Sequence, residues 1–238
     1  MMLSRLPVGE IGQAPKIGSS AWAFPLVGGI LGALAAMVML GLLWIGVAAS
    51  IAAGLALLAM IFLTGGLHED GLADVADGFG GGRDTAHKLE IMRDSQIGSY
   101  GGLALVLSLG LRWQGLFVVL ILAGPWSAAA ALVALAMASR AGLAIALWLM
   151  PAARLDGMGQ LAAGASGKQA LVAAMIGVFA LVLFFGWAGM TVALALAAIH
   201  IGFAELAKRQ IGGQTGDVLG AMQQVMEITG WVVLSTMA

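Results

Sequence analysis

An all-α, polytopic membrane bundle is the fold class this sequence predicts, and three observations predict it. Of 238 residues, 61% are hydrophobic and only 10% charged, with a mean hydropathy of +1.01, whereas soluble domains carry about 25% charged residues. Residues 22–64 run without a single charge, roughly twice the ~20 positions one helical span needs. Polar residues gather instead in three internal segments, 65–100, 151–169 and 207–217. The chain reads as one integral membrane domain, 1–238, with those segments at one face.

Composition also excludes classes of function. There are no cysteines, so disulfides, thiolate catalysis and Cys-type zinc sites are absent. A formal charge of −1 lacks the basic stripe that a nucleic-acid partner requires. The opening Met1–Glu10 is not a secretory signal, because the apolar run starts only near Trp22, after Glu10 and Lys16.

Taken in order, residues 1–21 form a polar lead-in at the membrane surface. Residues 22–64 make two spans with a tight turn near Trp44–Gly46. Residues 101–123 make a third, interrupted by Arg112 and Gln114, and Gly124-Pro125 turns into a fourth, 126–150, which contains Ser139-Arg140. The second polar loop carries Arg154 and Asp156. Spans five and six, 170–187 and 190–206, join around Gly186–Gly189, and a seventh ends the chain. Seven spans put Arg5, Lys16, Arg83, Lys88, Arg93, Arg154, Lys168, Lys208 and Arg209 on one side. The remaining two basic residues, Arg112 and Arg140, lie inside spans, so the polar face is assigned to the cytoplasm.

The first polar segment holds seven of the 12 carboxylates and two of the three histidines. Asp70, Asp74 and Asp77, spaced i, i+4, i+7, fall within a helical sector of roughly 60°. Three carboxylates on one face repel unless a cation neutralises them, and oxygen-only ligands favour Mg2+. Glu69 stands beside that face as a further candidate ligand. Gly80-Gly81-Gly82 lets backbone approach an anion, and Arg83, Lys88 and Arg93 supply cations for phosphate oxygens. Asp84 is placed to cap a short helix. Asp94 pairs with Glu90 at i, i+4, a like-charge conflict that a cationic partner would relieve. Because a histidine side chain ordinarily titrates near neutral pH, His68 is a candidate acid–base; orienting a carboxylate or capping a helix are its other readings. Together these features point to metal-assisted chemistry on a phosphorylated substrate.

Two further patterns bear on the interior. Gly65-Gly66-x-x-x-Asp70-x-Leu72 recurs as Gly212-Gly213-x-x-x-Asp217-x-Leu219, which places Asp217 opposite Asp70. Asp217, Gly220, Gln224 and Glu227 share one helical face. Arg112, Arg140, His200 and Glu227 sit in apolar sequence, where ionisable groups face the protein interior and pair internally or line a pathway.

Thr64–Gly82 (TGGLHEDGLADVADGFGGG), Leu89–Gly98 (LEIMRDSQIG) and Gly212–Ala221 (GGQTGDVLGA) resemble the cobalamin synthase family, the adenosylcobinamide-GDP ribazoletransferases. Arg5-Leu-Pro, Phe24-Pro-Leu-Val-Gly and Ser139-Arg140 match more weakly, and the likeness runs over nearly the whole chain. Gln96 departs from the family's arginine after Asp-Ser, and Gln224 from its glutamate. The resemblance implies a Mg2+-dependent enzyme of the bacterial inner membrane with its site facing the cytoplasm. It would join adenosylcobinamide-GDP to α-ribazole or its 5′-phosphate, releasing GMP. In those terms Asp70, Asp74, Asp77 and Glu69 bind metal, and His68 or Asp94 accepts a proton. Arg83, Lys88, Arg93, Ser95, Arg140, Thr215 and Asp217 hold substrate. Expected partners are both substrates, membrane lipid, and a second copy of the chain or other late cobalamin-pathway enzymes, with no nucleic acid.

Two alternatives stand beside this one. A CDP-alcohol phosphotransferase also has an Asp-Gly-rich acid helix, but its pattern wants an acid three residues before Asp70 and Ala-Arg after the glycine, where Leu67 and Ala73-Asp74 stand. A secondary transporter would explain Arg112, Arg140, His200 and Glu227 as a midplane pathway, though not the gathering of polar residues at one face.

Overall fold

The computed structural model describes residues 3–5, 17–154 and 165–238. A 3-10 helix, Ile17–Ala23, leads into α1 (Phe24–Trp44) and α2 (Ala49–Thr64). The chain continues through α3 (Leu67–Gly81), α4 (Thr85–Ile91), α5 (Ser99–Ala123) and α6 (Pro125–Leu149), then α7 (Gly167–Ile211) and α8 (Gly216–Ser235). Among the described residues the only backbone pairing of β type is one parallel bridge between Ala152 and Gln214. Asp156, in the second polar loop, lies outside the described residues.

The predicted turns are where the chain turns. α1 ends at Trp44, and Gly46 takes a positive φ of 85° before α2. Gly124, also at positive φ, separates α5 from α6. α7 is a hairpin rather than one long rod. It breaks at Gly186, whose φ of 55° and ψ of −124° are not helical, and a Cβ on Gly189 would lie 2.0 Å from the Leu181 carbonyl oxygen. In a straight helix eight residues span about 12 Å, so the two legs run antiparallel, as expected for spans five and six. Four described segments are long and apolar enough to cross a membrane by themselves: Gly18–Trp44, Ser99–Ala123, Pro125–Leu149 and Gly167–Ile211.

α3 departs from the spans. It leaves α2 at a bend of 88°, made by consecutive glycines, Gly65 and Gly66, both at φ 70°, a conformation that side chains with a Cβ rarely take. α3 therefore turns away from α2 and packs along α5, from Gly101 to Arg112, and along α8, from Asp217 to Gln224. Its crossing with α8 is close. A Cβ on Gly71 would meet the Asp217 backbone at 2.7 Å, and one on Gly220 would meet His68 at 3.2 Å. Small residues at that crossing are what bring the two Gly-Gly-x-x-x-Asp stretches together.

The core is built largely of alanine, leucine and methionine, with Ala35, Ala131, Ala134, Ala144, Ala173 and Met222 fully buried. Large apolar side chains such as Trp44, Trp126, Phe179 and Trp187 face outward, which suits lipid as the surrounding medium.

Candidate active site

The three polar segments meet at one end of the bundle. Lys88 Nζ on α4 donates to Gln210 Oε1, and Thr85 Oγ1 donates to the Gln210 carbonyl at 3.4 Å. Ala153 N donates to Gln214 O at 2.9 Å and Gln214 N to Pro151 O at 2.8 Å. Arg154 completes the junction. Its Nη2 donates to Leu89 O at 3.0 Å, and Nη1 lies 3.9 Å from Asp217 Oδ2. Sequence reasoning left Arg154 out of the site, and no spacing pattern around it would have singled it out.

The acid face of α3 points toward this junction. Asp70 is exposed, Asp74 is partly buried and Asp77 is buried. Asp217, at the start of α8, accepts from Thr215 Oγ1 at 3.2 Å, while the same hydroxyl accepts Val218 N–H at 3.2 Å and so caps the helix. Burial, then the charges of Asp70, Asp217 and Asp77, push the Asp74 carboxyl up to about 7, with Arg154 alone opposing them. The cluster thus holds more negative charge than its own cations neutralise. Among the described residues no three acid or histidine side chains converge as a ready-made metal cage. Mg2+ does not need one, since it is ordinarily held by one or two carboxylates with substrate phosphates and water. An oxygen-only donor set in excess negative charge fits that ion.

Several predicted site residues take other places. Asp77 is engaged with α5: its Oδ2 accepts Gly98 N–H at 2.8 Å and its Oδ1 accepts Gly101 N–H at 2.9 Å. It caps that helix instead of standing free beside Asp74. Glu69 turns into the bundle, where Arg112 Nη2 lies 2.9 Å from its Oε1. His68 is buried on the same inner side, two residues and about 200° from Asp70 on the helix. Its place beneath α3 takes it away from proton transfer at the acid face. Arg140 is corrected too. Only 1% exposed, it donates to Ala136 O at 3.1 Å and lies 3.5 Å from Glu227 Oε1, so it is an interior ion-pair partner and not a substrate contact. His200 is buried as expected, yet its Nδ1 has no hydrogen-bond partner among the described residues.

The remaining candidates do face the open side. Arg83, Arg93, Asp94 and Ser95 are exposed. Asp84 caps α4 as predicted, accepting His87 N–H at 2.9 Å. Asp94 accepts Gln96 N–H at 3.0 Å and joins Asp77, Ile91, Ile97 and Tyr100 around an open cleft of about 300 Å3. Acid helix, basic short helix and the Thr215–Asp217 cap are therefore contiguous, a setting for charge neutralisation and positioning of a phosphorylated substrate.

The family model of cobalamin-5-phosphate synthase matches residues 1–235. The chain belongs to that family. Relatives named adenosylcobinamide-GDP ribazoletransferase include one from Bradyrhizobium diazoefficiens, 45% identical over 226 residues, which cover 94% of this chain and 86% of the relative. One from Mesorhizobium japonicum is 42% identical over 236 residues, covering 99% and 90%. A third, from Xanthobacter autotrophicus, is 46% identical over 223 residues, covering 90% and 83%. No solved structure matches the chain. In this family member Thr64–Gly82 forms the bend plus the acid helix, and Gly212–Ala221 is the start of α8 that meets it.

Proposed function

We infer that this chain is an adenosylcobinamide-GDP ribazoletransferase, closing the nucleotide loop of cobalamin. A ribose hydroxyl of α-ribazole, or of its 5′-phosphate, attacks the phosphorus on the cobinamide side of the pyrophosphate. The new P–O bond forms as the bond to GMP breaks, and the hydroxyl proton passes to a carboxylate. The observation that carries the reading is the convergence of Asp70, Asp74 and Asp217 beside Lys88, Arg93 and Arg154. Thr64–Gly82, Leu89–Gly98 and Gly212–Ala221 supply four of these six, Lys88 stands one residue before the second of them, and Arg154 comes from the second polar loop.

Asp70, Asp74 and Asp217 are the side chains that would hold Mg2+, which supplies charge neutralisation at the pyrophosphate. Around it, Arg83, Lys88 and Arg93 present cations for phosphate oxygens, and Ser95 and Thr215 present hydroxyls. Phosphoryl transfer is mostly positioning and electrostatic stabilisation, and the fixed crossing of α3 on α8 serves both. Asp94, exposed on the cleft, is better placed than His68 to take the proton. Asp77 contributes by holding α3 to α5.

The bundle would sit in the bacterial inner membrane with the acid face toward the cytoplasm, the side indicated by the basic residues. A transport reading loses its support here, since Arg112, Arg140 and Glu227 are engaged with one another. The test is GMP release by purified, lipid-reconstituted protein given adenosylcobinamide-GDP and α-ribazole phosphate. GMP appearing together with a corrin product is the expected result. No product from folded protein would overturn the reading.

A further inference from the structure

The charges that enter the apolar bundle form one connected chain directly beneath α3. Glu69 Oε1 accepts from Arg112 Nη2 at 2.9 Å and from Gln224 Nε2 at 3.1 Å. The other arm of the same guanidinium, Nη1, donates to Glu227 Oε2 at 3.2 Å. Glu227 Oε1 accepts from Gln223 Nε2 at 2.6 Å and lies 3.5 Å from Arg140 Nη1. Two carboxylates thus face two guanidiniums, all four residues being at least nine-tenths buried.

Such a chain is a poor device for stability, because well-packed apolar side chains of similar volume generally do as well or better. Its geometry suits another purpose. α3 joins α2 through a bend at two glycines, whose N–H groups donate to Phe62 O at 3.1 Å and Ile61 O at 3.0 Å, so the bend holds its near end and side-chain contacts act on the rest. One residue is about 100° of rotation, so turning Glu69 inward commits Asp70 and Asp74 to the outward side. Eight residues further on, Asp77 grips Gly98 and Gly101 at the head of α5. Glu69 and Asp77 are about 12 Å apart along the helix, and two fixed points at that separation set both roll and tilt. Arg112 is the centre of the device, since its fork holds an acid of α3 and an acid of α8 at once.

We propose that Glu69, Arg112 and Glu227 form a buried positioning brace that sets the roll of α3 against α8, and so the meeting of Asp70 and Asp74 with Asp217. The proposal rests on the acid face being the reaction site. None of the three braces is a catalytic residue, since none touches the open face.

The test is a double variant, E69Q/R112L, that removes one charge of each sign and leaves the Glu227–Arg140 pair in place. In the reconstituted protein, kcat should fall about 100-fold with KM for adenosylcobinamide-GDP within about threefold, the signature of a misplacement of about 1 Å. Amide exchange over 70–78 should rise about tenfold while α6 is unchanged. Arg112→Lys keeps the charge but not the two-armed fork, and should fall between wild type and the double variant in both readouts. The proposal is overturned if the double variant keeps kcat within about twofold and exchanges like wild type, or if only KM changes. Should the double variant not fold, Arg112→Lys decides alone, and wild-type kcat and exchange there overturn it. A failure of the acid-face reading is distinguishable. In that case Asp74→Asn would turn over normally while the exchange of α3 still responded to the brace.

Discussion

Replacing Asp74 by Asn tests the acid face most directly, because charge and chemistry move in opposite directions. Burial together with Asp70, Asp217 and Asp77 raises this carboxyl from 3.8 to about 7. A folded value above the unfolded one means that the fold retains a proton which the unfolded chain has released. The contribution to stability is complete below about 4 and is lost as pH rises through about 7. The full displacement corresponds to roughly 4 kcal/mol. For a half-buried group, solvent screening reduces that to about 1–2 kcal/mol. Asn carries no charge at either pH, so in the absence of divalent metal the variant should gain about 2–8 °C in melting temperature at pH 8 and nothing at pH 4. Turnover should nonetheless fall by about 100-fold or more, the usual loss when one preorganised electrostatic group is removed. Thermal unfolding at the two pH values and GMP release at pH 8 are the measurements. Equal stability shifts at both pH values would refute the charge argument, and near-normal turnover would refute the site.

Three other outcomes follow from the geometry. Chelation with EDTA should stop GMP release and added Mg2+ should restore it; full turnover after exhaustive chelation would remove the metal from the mechanism. Gly101→Ala puts a Cβ 2.2 Å from Asp77 Oδ2 and should cost about 1–3 kcal/mol through the lost cap, with reduced turnover. Gly102→Ala, with nothing within 4 Å, should be neutral or up to ~1 kcal/mol stabilising, and equal melting temperatures for the pair would contradict the Asp77 contact. Glu227→Ala leaves two buried guanidiniums facing only Glu69 and should cost about 3–5 kcal/mol, read by thermal unfolding in detergent.

The span pattern was legible because it is a matter of length and charge. An uncharged run too long for one helix, Gly124-Pro125 and the Gly186–Gly189 region mark turns that the fold has. The echo of Gly-Gly before Asp70 and Asp217 was legible as well, and each copy opens on a glycine at positive φ, Gly65 and Gly212, that ends the preceding helix. What the sequence hides is roll. Helical spacing puts Asp70, Asp74 and Asp77 on one sector, but not which edge of that sector meets α5, so the cap made by Asp77 was invisible. Gly98 and Gly101, three apart and both within about 3 Å of the Asp77 carboxylate when given a Cβ, are the signal in retrospect. The inward placement of Glu69 and Arg140 was hidden for a related reason. Each sits among functional-looking neighbours, and only three-dimensional pairing shows that its charge is answered from inside. Arg154 was missed because its partners, Leu89 and Asp217, are distant in sequence.

The brace also sets an order of events during synthesis. Glu69 precedes its first cation, Arg112, by 43 residues and its amide partner, Gln224, by 155. At roughly 5–20 residues per second, the acid helix exists for about 10–30 s before α8 emerges to complete its surroundings. Through that interval α3 is tied to the nascent bundle by α2, α4 and α5, and the α7 hairpin must be made before Asp217 can be delivered. A ribosome that stalls or a chain that is cut within α7 leaves the acid face built on one side only. Without α8, Glu69 lacks Gln224 and Arg112 lacks Glu227.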